Sequence, residues 1–172
     1  MLEARHFGLP ETASVAAAPH RSIVSLAAFA GRAAALADAL GVALPEPNKR
    51  AVQDEVSFLW SGPDSWLVMS ADSRLENRLA AKGRAFAAVT DQSDGRAIFM
   101  VSGDSVRDTL AKLVPIDLHE TVFGPDDTAL TLAGHIPVQI WREAGAFALA
   151  CFRSYAGALH HALLEAAGEG RG

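Results

Sequence analysis

Apolar and polar residues follow one another in blocks whose spacing predicts short strands and amphipathic helices in turn. A continuous apolar run over residues 23–28 predicts a strand. The next apolar residues recur at helical spacing, and Gly41 ends their pattern, so a helix is expected to follow. These residues are Phe29, Ala33, Leu36 and Leu40. Residues 45–54 are polar and contain two prolines, which predicts an exposed loop.

A β-hairpin and a second helix are predicted next. Val56–Trp60 and residues 66–70 are apolar and flank Gly62-Pro63-Asp64, where proline presets the first dihedral angle of a turn and aspartate suits the next position. Ser73 and Glu76 then have the spacing of a capping box ahead of an apolar helical stripe. The expected order is strand, helix, hairpin, helix.

The same order is predicted again further along the chain. Residues 97–101 form an apolar, β-rich run typical of a strand covered on both faces, and Ser105 and Asp108 repeat the capping-box spacing of a helix that Pro115 stops. Thr128–Ala133 and residues 136–142 predict a hairpin.

Gly134-His135 suits a type II′ turn between the strands of that hairpin. A further strand is expected over residues 147–152, and Ser154 is expected to cap the final helix. The fold class predicted by this twofold order is α+β, with mostly antiparallel sheets backed by helices. Residues 22–167 are expected to form a single domain made of two halves, 22–88 and 89–167.

The two ends of the chain lack a periodic pattern. Residues 1–21 mix Pro, Gly, Ala and charged residues and are predicted to be an arm rather than a core element, while residues 168–172 are expected to fray. The charged residues and proline near the start interrupt the apolar region that a secretory signal needs, so a cytoplasmic location is expected.

Composition narrows the classes of partner. The chain has 172 residues, of which 50% are hydrophobic, and no apolar run approaches the length of a membrane span. A net charge of −5 without a stripe of Lys and Arg argues against nucleic-acid binding. Protein or small-molecule partners are therefore expected, and no membrane.

Few side chains are grouped as chemistry would require. Cys151 has no second cysteine to pair with and lies in an apolar run, so an inert buried thiol is expected. Neither GxGxxG nor a Walker-type motif occurs. His160 and His161 are adjacent on a helix, so their side chains should diverge, and no metal site is expected from the six histidines. These are His6, His20, His119, His135, His160 and His161.

One loop and three tryptophans are open to two interpretations. Asp91, Ser93, Asp94 and Arg96 crowd one loop, where an aspartate could act as a base and the arginine could clamp an anion, yet Asx turns use the same residues and are favoured. The tryptophans lie in predicted strands and could stack on a planar ligand, although core or interface positions are favoured. They are Trp60, Trp66 and Trp141.

Several of these segments together resemble the gamma subunit of heterotetrameric sarcosine oxidase, which is related to the folate-binding aminomethyltransferase fold. The resemblance spans residues 56–164 and rests on four stretches in order. They are FLWSGPDSWLVMS, VTDQSDGRAIFMVSGDSVRDTLAKLVPIDL, TALTLAGHIPVQIWRE and FALACFRSYAGALHHAL.

The resemblance implies an accessory subunit of a bacterial complex that oxidatively demethylates sarcosine to glycine and passes the one-carbon unit to tetrahydrofolate or releases formaldehyde. It places flavins, NAD, folate and zinc in the other subunits, so no catalytic, cofactor-binding or metal-binding residue is expected in this chain. The expected partners are the other subunits, chiefly the large folate-binding one.

The sequence also shows which residues stand where aminomethyltransferases of the related fold carry out their folate chemistry. Aminomethyltransferases place a catalytic carboxylate in the hairpin strand after a Gly-rich turn, which corresponds here to Ile136-Pro137-Val138, where no residue ionises. Pro137 also indicates an edge strand, so residues 136–140 with Trp141 are predicted to dock a larger subunit. The alternative is a folate- or pterin-binding module in which Asp91, Asp94 or Arg96 orients the ligand.

Overall fold

The computed structural model describes residues 15–168, and the chain divides into two units. Unit I is His20–Ser93, and unit II combines Met1–Pro19 with Asp94–Gly172. The strands are β1 (Val15–Ala17), β2 (Ser22–Ala28), β3 (Arg50–Gln53), β4 (Val56–Trp60), β5 (Ser65–Ser70), β6 (Ala87–Asp91), β7 (Arg96–Val101), β8 (Thr128–Ala133), β9 (Ile136–Glu143) and β10 (Ala146–Phe152). The helices are α1 (Ala33–Leu40), α2 (Leu75–Gly83), α3 (Val106–Ala111) and α4 (Ala156–Ala167).

Unit I is a five-stranded antiparallel sheet packed against α1 and α2. Its strand order is β3-β4-β5-β2-β6. Leu36 from α1 and Leu79 from α2 pack with Val24, Leu26 and Val68 of the central strands in one buried cluster. Because alternate strand residues point to the same side of a sheet, this spacing places one face of each strand against the helices.

Unit II repeats the arrangement with strand order β1-β7-β10-β9-β8 and helices α3 and α4. Leu110 of α3 and Leu159 of α4 pack on Phe99, Ile140 and Leu149 of the sheet. Both sheets are antiparallel in every pairing, so the α+β class and the antiparallel sheets predicted from the sequence are confirmed. No helix within residues 15–168 is long and apolar enough to cross a membrane.

The predicted hairpins β4–β5 and β8–β9 are present in register. Trp60 pairs with Trp66 across the first turn, in which Asp64 has a φ of 50°. Ala133 pairs with Ile136 across Gly134-His135, where Gly134 has a φ of 61°. Both turns use the left-handed backbone region, which glycine and aspartate tolerate better than most residues.

The prediction that residues 1–21 contribute nothing to a core is wrong for Val15–Ala17. This strand pairs antiparallel with β7, and Val15 is fully buried in the core of unit II. Three residues are too few for a periodic pattern, and the strand is defined by its distant partner. Residues 1–14 of the predicted arm and residues 169–172 of the predicted tail lie outside the described part.

The prediction of a loop over residues 45–54 is wrong for Arg50–Gln53, which form β3 at the edge of the unit I sheet. Val52 and Gln53 are exposed there, so the strand lacks the apolar face on which recognition from sequence depends. Residues 45–48 remain outside regular secondary structure, and Lys49 forms an isolated β-bridge just before β3.

The predicted helix beginnings are shifted. Phe29 is 48% exposed and precedes α1 instead of belonging to its apolar stripe. The N-cap residues of α2, α3 and α4 make no side-chain cap hydrogen bond, so the capping roles predicted for Ser73, Ser105 and Ser154 are wrong; before α2 it is Asp72 that accepts a backbone N–H, that of Arg74, at 2.9 Å. Ser105 has φ −96° and ψ 17°, outside the extended conformation that aims a capping oxygen at the helix.

The prediction that residues 136–140 form an edge strand is also wrong. β9 lies between β8 and β10, and Trp141 is fully buried. The pairing of β9 with β10 ends at Gln139 and Ala150, so Pro137 lies beyond it and is paired with β8 alone. Proline is tolerated because no strand on the β10 side requires its missing N–H.

Candidate functional site

The polar loop between β6 and β7 begins with an Asx turn in unit I. Asp91 Oδ1 accepts hydrogen bonds from the Ser93 N–H at 2.9 Å and the Ser93 hydroxyl at 2.6 Å. Ser93 Oγ also accepts the Ile23 N–H at 3.0 Å. Both side chains are engaged in closing the end of the β2–β6 pair, which is the structural role favoured by the sequence.

The following residues, Asp94 and Arg96, belong to unit II and are held by Arg153. Arg153 Nε donates to the Asp94 carbonyl at 2.6 Å, and the Arg153 N–H donates to the Gly95 carbonyl at 2.9 Å. Both hydrogen bonds are accepted by backbone carbonyls of the loop, so the exposed Asp94 carboxylate takes no part in them.

Arg96 stacks its guanidinium on the ring of Phe152, 4.1 Å from the ring centroid. Burial lowers the pKa of Arg96 from its ordinary value, because desolvation disfavours the charged form. A cation stacked on an aromatic face is a packing contact, so the Arg96 guanidinium has a structural partner, although its Nε is buried without a hydrogen-bond partner among the described residues.

Residues 136–138, which the resemblance aligns with the catalytic carboxylate of aminomethyltransferases, carry no ionisable side chain in this chain. Val138 is 4% exposed and belongs to the core of unit II, while Pro137 is exposed and carries no ionisable group. The carboxylate of this strand is that of Glu143, whose Oε2 accepts the Trp141 indole N–H at 2.9 Å. A group that could hold a proton for folate chemistry is therefore missing from residues 136–138.

A buried polar pair that the sequence analysis missed lies on the same two strands. Gln139 Nε2 donates to Thr128 Oγ1 at 3.1 Å, and the Thr128 hydroxyl donates to the Ile140 carbonyl at 3.1 Å. Both residues are almost fully buried, and buried polar groups are costly unless bonded in this way. In the sequence, this pair could have been recognised from Thr128 and Gln139 as polar residues within two largely apolar strands.

Two of the three tryptophans, Trp66 and Trp141, are buried. Trp66 is 6% exposed and donates its indole N–H to the Pro45 carbonyl at 2.9 Å, which fastens the loop before β3. Trp141 is fully buried, and Trp60 is half-buried against the core of unit I. The core or interface position favoured for these residues is confirmed as a core position for Trp66 and Trp141, while Trp60 is only partly buried and, with Trp66, lines a cleft of about 500 Å³.

The cysteine and the two adjacent histidines have structural surroundings. Burial raises the pKa of the Cys151 thiol to about 11, so the neutral thiol is the stable form. His160 stacks on Phe99 with ring centroids 5.4 Å apart, whereas His161 is exposed and lies 3.6 Å from Glu165, so the side chains diverge as predicted. Within residues 15–168 no three His, Cys, Asp or Glu side chains are grouped to hold a metal ion.

A cleft of about 500 Å³ opens in unit I beside α2. Its floor is apolar, with Val56, Phe58 and Leu79 among the lining residues, and Arg78 and Lys82 stand at its polar side. Arg78 is bound to Asp72 at 2.7 Å, which lowers the pKa of that carboxyl. The cleft presents no nucleophile paired with a base.

The described residues form an α+β fold with two antiparallel five-stranded sheets, each packed with two helices. The model of the sarcosine oxidase, gamma subunit family matches residues 25–169, and the chain belongs to that family. The family resemblance predicted from the sequence is thereby confirmed.

A solved structure agrees with this assignment. A chain of the heterotetrameric sarcosine oxidase from Corynebacterium sp. U-96, in complex with pyrrole 2-carboxylate, is similar to this one with a TM-score of 0.81 and 28% identity. The similarity covers 92% of this chain and 85% of that chain.

Two other solved structures are much less similar. They are the aspartokinase alpha and beta subunits (TM-score 0.48, 9% identity, 92% of this chain and 99% of that one) and the regulatory subunit of aspartate kinase from Thermus thermophilus (TM-score 0.46, 14% identity, 88% and 96%). The curated proteins contain no match.

Proposed function

We propose that this chain acts as a non-catalytic accessory subunit that assembles or stabilises a sarcosine oxidase. Family membership supports the complex. The observation that supports the non-catalytic role is the buried Val138 beside Pro137, in the segment that the sequence resemblance aligns with the catalytic carboxylate of aminomethyltransferases. Valine can neither take up a proton nor stabilise a cationic iminium.

The partners of such a subunit are the other subunits of the oxidase, and we infer that the large folate-binding subunit is the chief one. Flavins, NAD, folate and zinc are then bound by the partner subunits, and this chain contributes no ligand to them. A cytoplasmic location stays a prediction from the sequence.

Two measurements test the proposal. The chain is co-expressed with the other oxidase subunits, and the affinity-purified complex is compared with one lacking this chain for yield, thermal stability and turnover of sarcosine. We expect the complex lacking this chain to be recovered in lower yield or to unfold at lower temperature. Equal yield, stability and turnover without the chain would contradict an assembly role.

The second measurement addresses the alternative of a folate-binding module. Isolated chain is titrated with tetrahydrofolate in a calorimeter, beside the variants Asp94→Ala and Asp91→Ala. We expect no saturable heat for any of them. Saturable binding that weakens in Asp94→Ala would favour the folate- or pterin-binding module instead.

A further inference from the structure

We propose that the outer edge of β8, together with the exposed apolar side chains beside it, receives an extended strand from another subunit of the oxidase. This inference rests on the proposed function, because it assigns the place where the accessory subunit meets its partner. The surface is named the β8 edge and consists of Leu130, Leu132, Pro137 and Phe152.

The register of the hairpin determines which backbone groups of β8 point outward. The turn Gly134-His135 contains two residues, so the closing pair Ala133–Ile136 is a hydrogen-bonded pair. Hydrogen-bonded and non-hydrogen-bonded pairs alternate in an antiparallel ladder, so Leu132–Pro137 and Leu130–Gln139 are non-hydrogen-bonded pairs. The N–H and C=O of Leu130 and Leu132 therefore point away from β9.

Two further features agree with this assignment. Pro137 has no N–H to donate, and a non-hydrogen-bonded pair with Leu132 requires none. The next hairpin, β9–β10, has the two-residue turn Ala144-Gly145, so its closing pair Glu143–Ala146 is also a hydrogen-bonded pair. Because the two kinds of pair alternate along the ladder, Gln139–Ala150 is a hydrogen-bonded pair as well, and the N–H of Gln139 points towards β10. Both hairpins thus give the same orientation of the backbone.

β8 is the terminal strand of its sheet among residues 15–168, so its outer groups lack a strand partner there. The side chains of the same residues are exposed and apolar: Leu130 is 49% exposed and Leu132 43%. By register they share a sheet face with Pro137 and Phe152, of which Phe152 is 46% exposed. Unpaired backbone groups and apolar side chains thus occur together.

The sequence of β8 lacks the features by which an edge strand avoids pairing. TALTLA contains six residues with no charge and no proline. The edge strand β3 of unit I instead has four residues and includes Arg50, and the edge strand β6 ends at Asp91. A long, uncharged edge with exposed leucines favours strand addition unless a partner covers it.

The occupant is a segment of a partner subunit because this chain belongs to a family of oxidase subunits. Its chemistry follows from the edge: an extended segment whose backbone bonds to Leu130 and Leu132, with apolar side chains at alternate positions on the same face. A second copy of this chain paired through its own β8 would use the same groups and is an outcome of the test.

The experiment uses the complete chain co-expressed with the other oxidase subunits. Leu130→Pro removes the outward N–H without removing a bond to β9, and the double variant Leu130→Lys with Leu132→Lys places charges on the apolar face. We expect each to reduce the co-purified partner subunits by about tenfold or more. Val52→Lys on the exposed edge strand β3 is the matched control and should leave co-purification unchanged.

Folding is checked separately by circular dichroism and thermal unfolding, and Leu130→Ala provides a milder variant that keeps the backbone N–H. If wild-type chain fails to recover any partner, the proposed function fails. If the wild-type chain recovers the partner subunits and the folded β8 variants recover them equally well, the proposal that the β8 edge binds a partner is overturned, while the proposed function is retained. Loss of self-association alone, with partner recovery unchanged, assigns the edge to a second copy and overturns this proposal.

Discussion

At the scale of single residues, Cys151 shows how an apolar environment suppresses chemistry. The side chain is fully buried in the core of unit II, and burial raises its pKa from 9.0 to about 11. The neutral thiol is favoured in the folded protein, so its contribution to stability is present below the pKa of the unfolded chain and is lost as the pH rises through the folded value. A thiolate nucleophile at this position would need the opposite shift.

We therefore expect native Cys151 to react with a neutral maleimide at least about a hundredfold more slowly than the denatured chain near neutral pH. Because the chain contains a single cysteine, labelling followed by mass spectrometry reports this residue alone. Cys151→Ala removes the label and should flatten the loss of stability that the wild type shows between pH 9 and 11. Equal labelling rates for native and denatured protein would contradict the assignment.

At the scale of elements, the β3–β4 hairpin has a conformation that its residues do not favour. Gln53 pairs with Val56 across Asp54-Glu55, whose φ values are 49° and 62°. Two consecutive left-handed residues are typical of a type I′ turn, where Asp-Gly is preferred and glutamate is not. A residue with a Cβ pays about 1 kcal/mol for this backbone region.

We predict that Glu55→Gly raises the free energy of unfolding by about 0.5–1 kcal/mol, because glycine adopts the left-handed region without the steric cost. Urea unfolding followed by tryptophan fluorescence measures the change. Glu55→Ala is the control, since it removes the same side chain but keeps the Cβ, and it should shift stability by less than about 0.5 kcal/mol. A stabilisation by alanine equal to that by glycine would show that the side chain and not the backbone is responsible.

The elements that sequence predicted well are those whose signals are local. The β4–β5 and β8–β9 hairpins combine two apolar runs with turn residues whose backbone preferences match the observed turns. β1 and β3 were missed because each is short and is defined by a partner strand. The helix caps were misplaced because the capping-box pattern states which residues could bond, while the backbone angles decide whether they do.

In the candidate site too, features that depend on local residue type could be predicted from the sequence, and features that depend on strand order could not. The Asx turn at Asp91 and the absence of an ionisable group over residues 136–138 follow from residue type alone. The position of β9 inside its sheet does not, because Pro137 is compatible with an edge strand and with an overhanging end of an interior strand. Only the strand order distinguishes them, and that order moves the proposed docking surface from β9 to β8.

At the scale of the whole chain, each unit depends on pairings between distant segments. β1, from the start of the described chain, pairs with β7 of unit II after the whole of unit I has intervened. Val15 lies opposite Val101 and is fully buried with Phe99 and Leu163. A sheet closed in this way gains its last strand only when two remote parts of the sequence meet, which costs loop-closure entropy.

A substitution at Val15 therefore tests whether β1 stabilises unit II. Val15→Ala should lower the free energy of unfolding by about 2 kcal/mol, because it removes buried methyl groups and leaves a cavity. Hydrogen exchange should show faster exchange in β7 while the amides of β2 and β5 in unit I keep their protection. Val52→Ala, at a 57% exposed position, removes the same atoms and should change stability by less than about 0.5 kcal/mol. If the two variants behave alike, β1 is dispensable to unit II, whereas a selective loss in β7 shows that the first strand holds the edge of that sheet.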